Sequence, residues 1–183
     1  MVKKIILTIL SVTSISLPGC CSINENCELQ SGKCLSYIPF NLDNQQASYY
    51  AKRTKALVYT NENGESLNYR LFVPQDYDPN EKYPLVLSLH GAGSRGDDNL
   101  KHLRPWVAGW SVYEVQKRYP HIIIMPQCPA GQQWVNTPWR DGSYDFNEVR
   151  LSSPLRLSKE MLDTVCNDFS VDMSRIYVMG ASM

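Results

Sequence analysis

Arg175-Ile176-Tyr177-Val178-Met179-Gly180-Ala181-Ser182-Met183 is the stretch whose reading decides the fold. Its first five residues form a short apolar run, rich in β-branched and aromatic side chains, of the kind expected in a buried strand. Gly180-Ala181-Ser182 then fills three positions of a G-x-S-x-G turn, where a strand bends sharply toward a helix and a strained serine presents its Oγ. Glycines flank the serine in such a turn because a Cβ there would clash. The fifth position of the motif would be residue 184. The sequence is therefore expected to be the front part of a longer serine hydrolase, ending at its own nucleophile and without turnover by itself.

A G-x-S triplet is common by chance, so context has to carry the reading. Upstream, Tyr83-Pro84-Leu85-Val86-Leu87-Ser88-Leu89-His90-Gly91-Ala92-Gly93 is a β-rich apolar run that stops at a glycine-rich loop. His121-Ile122-Ile123-Ile124-Met125-Pro126 is another short, continuously apolar run. Runs apolar on both faces suit strands of a parallel sheet covered by helices on each side. Before them, Ala56–Thr60 and Ser66–Val73 flank the turn signal Asn61-Glu62-Asn63-Gly64, which predicts an antiparallel hairpin.

Between the runs, Asp97-Asp98-Asn99-Leu100 reads as a capped helix start, and part of 107–119 as helical. A further helix is expected after Ser153, with Pro154 in its first turn and Leu155, Leu162, Val165 and Phe169 facing the sheet. Hairpin, strand, helix, strand, helix, strand-to-serine is the running order of an α/β fold with a mostly parallel sheet.

The 183 residues are 43% hydrophobic with 18 basic and 18 acidic side chains, enough for one domain with a core and without an electrostatic case for nucleic acid. The N-terminus reads as an address. Met1-Val2-Lys3-Lys4 is a basic start, and Ile5 to Leu17 is apolar but shorter than the ~20 residues of a membrane span, which predicts a secretory signal over 1–19. Residues 20–54, polar and without periodicity, are expected to form a tether, and 55–183 the domain.

Export would allow disulfides. Cys27 and Cys34 flank a small polar loop they could close, Cys128 and Cys166 could pair, and buried or free thiols without a catalytic role are the plainer reading. No cysteine or histidine spacing suggests zinc. Asp141, Asp145 and Glu148 lack the spacing of an EF-hand loop, so no metal or cofactor is expected.

Leu89-His90-Gly91-Ala92-Gly93-Ser94-Arg95-Gly96-Asp97-Asp98-Asn99, Pro126-Gln127-Cys128-Pro129 with Trp134, and Val171-Asp172 through Met183 together resemble the α/β-hydrolase esterases. Within that superfamily they are most similar to the phospholipase/carboxylesterase and predicted-peptidase branch. Leu17-Pro18-Gly19-Cys20 resembles the lipobox of bacterial lipoproteins, which implies lipidation of Cys20 and a place in the cell envelope, periplasmic or surface-facing. The resemblance implies Ser182 as nucleophile and an oxyanion hole made by the backbone N–H of Met183 and one from the loop after His90, with Ala92 preferred to Gly93. For Gly91 and Gly93, a tight strand-to-helix turn without further role is the alternative.

The family's base follows its serine, yet His90, His102 and His121 all precede Ser182. His90 is expected to brace the oxyanion loop, His102 to lie on a helix surface and His121 to open a strand. The triad Asp and His are expected beyond residue 183. Asp97 and Asp98 read as a solvated turn and cap. Trp134 and Trp139 line the substrate pocket or pack in the core. Three functions stay open: an esterase acting on a small or polymeric ester, a peptidase of the same fold, and a non-catalytic binding lipoprotein. The substrate, the oligomeric state and the disulfide pairing are not legible.

Overall fold

A computed structural model describes residues 44–137, 145, 147, 149 and 151–183. The signal and lipobox (1–20), Cys21, Cys27, Cys34, Trp139, Asp141 and Glu148 lie outside the described residues.

Five strands make one mixed sheet: β1 (Lys55–Thr60), β2 (Ser66–Phe72), β3 (Tyr83–Leu89), β4 (Ile122–Pro126) and β5 (Val171–Gly180), in the order β1-β2-β4-β3-β5. The expected hairpin is present, with β1 and β2 antiparallel from Lys55↔Leu71 to Thr60↔Ser66. Its turn closes because Asn61 Oδ1 accepts the N–H groups of Asn63 and Glu65, while Gly64 takes a φ of +79° that favours glycine. β2 and β4 are antiparallel, whereas β4, β3 and β5 run parallel. β4 sits at the centre, and its isoleucines and Met125 are fully buried.

One face of the sheet is covered by α4 (Ser153–Asp168), which packs Leu157, Met161 and Val165 on Leu71, Leu85, Leu87, Ile122 and Ile124. The predicted stripe is rotated. Leu162 and Phe169 pack at its margin, and Leu155 lies outside the core. Pro154 stands in the first turn as expected, and Ser152 caps it by accepting the Leu155 N–H.

The other face is covered by α1 (Asn44–Arg53), α2 (Pro105–Ala108) and α3 (Tyr113–Arg118), which bring Tyr50, Val107, Ala108 and Val112 onto Phe72, Ile123 and Met125. Residues 44–53, read above as tether, are thus helical. Tyr50 anchors them in the core, and Arg70 binds the carbonyls of Ala51 and Thr54 at the end of the helix. Local composition is polar enough to hide a helix held by one aromatic.

Two further expectations change. Asp97–Leu100 is a turn rather than a helix start. Asp98 Oδ1 accepts the N–H groups of Leu100 and Lys101, Asn99 has a φ of 56°, and the helix begins only at Pro105. β5 is longer than expected, at 10 residues, and among the described residues it pairs with β3 alone. It pairs at Tyr83↔Val171, bulges, and resumes at Leu85↔Ile176, leaving Met173 and Tyr177 exposed. Cys128 and Cys166 are both free thiols. No helix among the described residues is long and apolar enough to cross a membrane.

Candidate active site

β3 and β5 are adjacent, parallel and level. Leu89 pairs with Gly180 at their carboxyl ends, so Gly91 and Ser182 each stand two residues beyond the same register line. The chain leaves β3 toward β4, on the side away from β5. In open α/β sheets, the carboxyl ends of such strands are where ligands bind.

Ser182 is exposed and has a φ of 70°, in the left-handed region where a non-glycine residue stores about 1–3 kcal/mol of strain. Met183 N–H donates to Ala181 O at 2.9 Å, closing a tight turn around it. Gly91 lies directly against the serine. A Cβ on Gly91 would stand 3.1 Å from Ala181 O and 3.2 Å from Ser182 Cβ, whereas one on Gly93 would meet nothing within 4 Å. Glycine at 91 is therefore required by close approach, and glycine at 93 is not.

The loop over the serine begins with a 3-10 turn, Ala92–Ser94, and is pinned by the residues that leave β4. Cys128 N–H donates to His90 Nε2 at 2.9 Å, so the imidazole proton resides on Nδ1, which donates to Gly91 O at 2.8 Å. Burial, with Arg95 nearby, holds the His90 pKa below its ordinary value and the ring neutral. Trp134 Nε1 donates to His90 O at 2.8 Å and packs edge-on against the ring.

Farther along the loop, Gly96 N–H donates to Cys128 O, and Gln127 holds both Asn99 N–H and Asp98. Partial burial pushes the Asp98 carboxyl up. The N–H groups of Lys101 and Leu100, with Gln127, outweigh that and bring it down to about 2. His90 holds the loop through these contacts as expected, whereas Asp98 closes a turn and caps no helix. Gln127, the Cys128 backbone and Ser152 were not legible as parts of the loop's support. Their role comes from partners 28 to 38 residues away in sequence for Gln127 and Cys128, and 18 for Ser152.

His102 departs from its expectation. It is fully buried, donating from Nε2 to Met125 O at 3.1 Å, and its Nδ1 has no partner among the described residues. Burial, followed by the neighbouring His90, lowers its pKa to about 3. His121 precedes β4 as expected, and is buried. Trp134 belongs to the core at 2% exposure. Burial pushes the Cys128 thiol up to about 11, so it is a poor nucleophile. Among the described residues no group of three His, Cys, Asp or Glu is placed to hold a metal ion.

Ser182 Oγ makes no hydrogen bond among the described residues, and both ring nitrogens of His90 are committed to backbone. The arrangement therefore offers a strained hydroxyl beside a braced, glycine-rich backbone loop. The Ala92 N–H has no acceptor among the described residues. Two hollows of about 670 and 540 Å³ lie elsewhere, lined by residues such as Trp110, Tyr119 and Tyr177, and by Lys52, Tyr113 and Lys117. Ser182, Gly91 and Ala92 line neither.

No protein-family model matches the sequence, and the comparison with curated proteins finds no match. Among solved structures, the chain is similar to a thermostable esterase at 30% identity and a TM-score of 0.64, over 73% of this chain and 36% of that one. A ferulic acid esterase from Anaeromyces mucronatus, solved with ferulic acid, aligns at 18% identity and a TM-score of 0.46 over 71% of this chain and 48% of that one. A fungal esterase from Rhizomucor miehei aligns at 18% identity and 0.42, over 74% and 40%. The chain thus spans about a third to a half of the length of these esterases. The sheet order and the likeness to the thermostable esterase show a partial α/β-hydrolase fold.

Proposed function

We propose that this chain is part of an exported serine hydrolase that cleaves carboxylic esters through an acyl-enzyme on Ser182. The observation that carries the reading is Ser182 at a φ of 70°, in van der Waals reach of the glycine that opens the loop after β3. A non-glycine residue persists in such a conformation only where its surroundings impose it, and such strain collects at reactive centres.

In this reading Ser182 Oγ attacks the ester carbonyl carbon while a histidine base takes its proton. The carbonyl π electrons move to oxygen, and the oxyanion accepts hydrogen bonds from Ala92 N–H and Met183 N–H. In this structure the Met183 N–H donates to Ala181 O, so in this reading it must exchange that acceptor for the oxyanion. Collapse expels the alcohol, which receives the proton from the base. Water then repeats the sequence on the acyl-enzyme and releases the acid. The likeness to an esterase at 30% identity supports ester chemistry, and a base and acid contributed beyond residue 183 complete the proposed triad.

The test is Ser182→Ala in the full-length protein, assayed on p-nitrophenyl acetate and butyrate with fluorophosphonate labelling. Loss of a serine nucleophile lowers turnover by about 10⁶, and unchanged labelling and turnover would refute the assignment. A matched p-nitroanilide substrate distinguishes a peptidase from an esterase.

Residues 17–20 support the companion proposal that Cys20 is lipidated and anchors the protein in the cell envelope. Cys20→Ser is expected to move it from the membrane to the soluble fraction, and unchanged fractionation would remove that proposal.

A further inference from the structure

We propose that the hollow between α1, α3 and the start of β3 is a binding site for an aromatic carboxylate. The proposal stands apart from Ser182, since this hollow lies at the opposite rim of the sheet, where β3 and β4 begin.

The hollow measures about 540 Å³, within the ~300–1,000 Å³ of clefts that hold small ligands. Much of its lining is fixed. Phe72 belongs to the core, and Tyr83 Oη accepts the Asp78 N–H at 3.0 Å while its ring packs 5.1 Å from that of Tyr77. Gln116 is 9% exposed, with Nε2 donating to Trp110 O at 2.8 Å and Oε1 accepting the His121 N–H at 3.1 Å. A wall whose polar atoms are already bonded needs no rearrangement to receive a ring, which keeps the ordering cost of binding low.

The charged part of the lining is cationic. Lys52 and Arg53 come from the last turn of α1 and Lys117 from α3, against a single carboxylate, Asp76, in a chain whose formal net charge is zero. Glu114, also on α3, does not line the hollow. Among the described residues none of the three cations forms an ion pair. Arg53 is half-buried and held through Nε, which donates to Ser111 O at 2.9 Å, and its two Nη groups have no acceptor among the described residues. A guanidinium fixed at one nitrogen and open at the other two suits the paired oxygens of a carboxylate. The carboxyl end of a helix ordinarily repels an anion. Here Arg70 takes the carbonyls of Ala51 and Thr54, and Thr54 Oγ1 takes that of Tyr50.

An aromatic body is favoured by Tyr113. Its ring lines the hollow, is 57% exposed, and has the Lys117 ammonium 5.9 Å from its centroid. A ligand ring stacked on Tyr113 therefore has a cation beside it, and Pro74 and Pro120 extend the apolar wall. A small inorganic anion gains nothing from these walls, and a neutral aromatic gains nothing from the cations. Only a ligand with both parts uses the whole lining.

The probe is 2-naphthoate, titrated calorimetrically into the full-length protein, with 2-naphthamide and acetate as the neutral and the ringless comparisons. Saturable binding of 2-naphthoate is expected, with both comparisons weaker by about tenfold or more. Lys117→Gln and Tyr113→Ala, at exposed positions that leave the core intact, should each weaken it by about tenfold. Lys159→Gln, exposed on α4, should change it by less than about twofold. The proposal is overturned by equal affinity for naphthoate and naphthamide, or by unchanged affinity in both variants. It is also overturned by no saturable binding in the millimolar range, the result if another part of the chain fills the hollow. Prior fluorophosphonate labelling of Ser182 is expected to leave the affinity unchanged, and binding lost on labelling would place the ligand at the serine and refute this site. A protein that binds naphthoate here but is not labelled at Ser182 would refute the nucleophile and leave the site standing.

Discussion

The two rims of the sheet are built differently. At the carboxyl rim, over residues 90–99 and 127–134, buried side chains grip backbone groups, as His90, Gln127 and Trp134 do. At the opposite rim, Glu81–Pro84 and Tyr119–His121 open onto the larger hollow, which is lined by aromatic and aliphatic groups. One rim offers the Ala92 N–H on a braced loop and a strained serine. The other offers space. Chemistry needs dipoles whose direction is set before the substrate arrives, so the more tightly bonded rim is the better candidate.

Acid should separate the rims most strongly. His102, beneath the carboxyl rim, has a folded pKa of about 3, set by burial and by facing His90 and Arg70 against the opposing pull of Asp98. Its unfolded value is near 6.5. The unfolded chain therefore takes up the proton first as pH falls. Stability is complete above about 6.5 and falls by up to several kcal/mol toward pH 3. Asp98 acts in a lower window, since its depressed pKa gives stability that is present above its ordinary value and lost as pH falls toward 2. Urea melts from pH 7.5 to 4 on wild type and His102→Gln, which keeps a donor for Met125 O, should show a shallower slope in the variant, where His90 and His121, whose pKa values burial also lowers, keep the remainder.

Gly91→Ala sharpens the contrast within one loop. Its Cβ must displace Ala181 or Ser182 by a few tenths of an ångström, and the expected loss of kcat is about 10²-fold. Gly93→Ala, whose Cβ meets nothing, should change kcat by less than threefold. Equal effects at the two positions would mean that the loop does not approach the serine in this way.

Ser152→Ala removes a helix cap and the donor to Trp134 O, for an expected cost of about 1 kcal/mol in a urea melt. Tyr119→Ala, 70% exposed on the opposite rim, is expected to shift stability by less than about 0.5 kcal/mol and to leave turnover unchanged. A large loss of activity from Tyr119→Ala would break the comparison, because it would place function in the larger hollow.

β4 and β5 show how far the sequence could be read. Both runs were identified as strands, and both are. Ile122 to Met125 was expected to be buried on both faces and is, because no arrangement leaves three successive isoleucines in water cheaply. Arg175 to Met179 looked equally buried, yet Tyr177 is 55% exposed. Burial of a strand depends on what lies beside it, and among the described residues β5 pairs with β3 alone. Helix α1 was missed because a single buried tyrosine gives no periodicity.

By itself the sequence determined the hairpin, the apolar strands, the glycine loop and the serine turn, since each follows from local stereochemistry: glycine where φ is positive or a Cβ would clash, β-branched runs where a pleated face is buried. Only the tertiary structure decided the placement of β5 on the far side of β3, and hence the contact of Gly91 with Ser182. It also separated three histidines that look alike in sequence. His90 became a brace with both nitrogens satisfied, and His102 a buried ring with one nitrogen unpartnered among the described residues. Partners such as Cys128 lie 38 residues from His90, and no local pattern encodes a hydrogen bond that only chain crossing brings within reach.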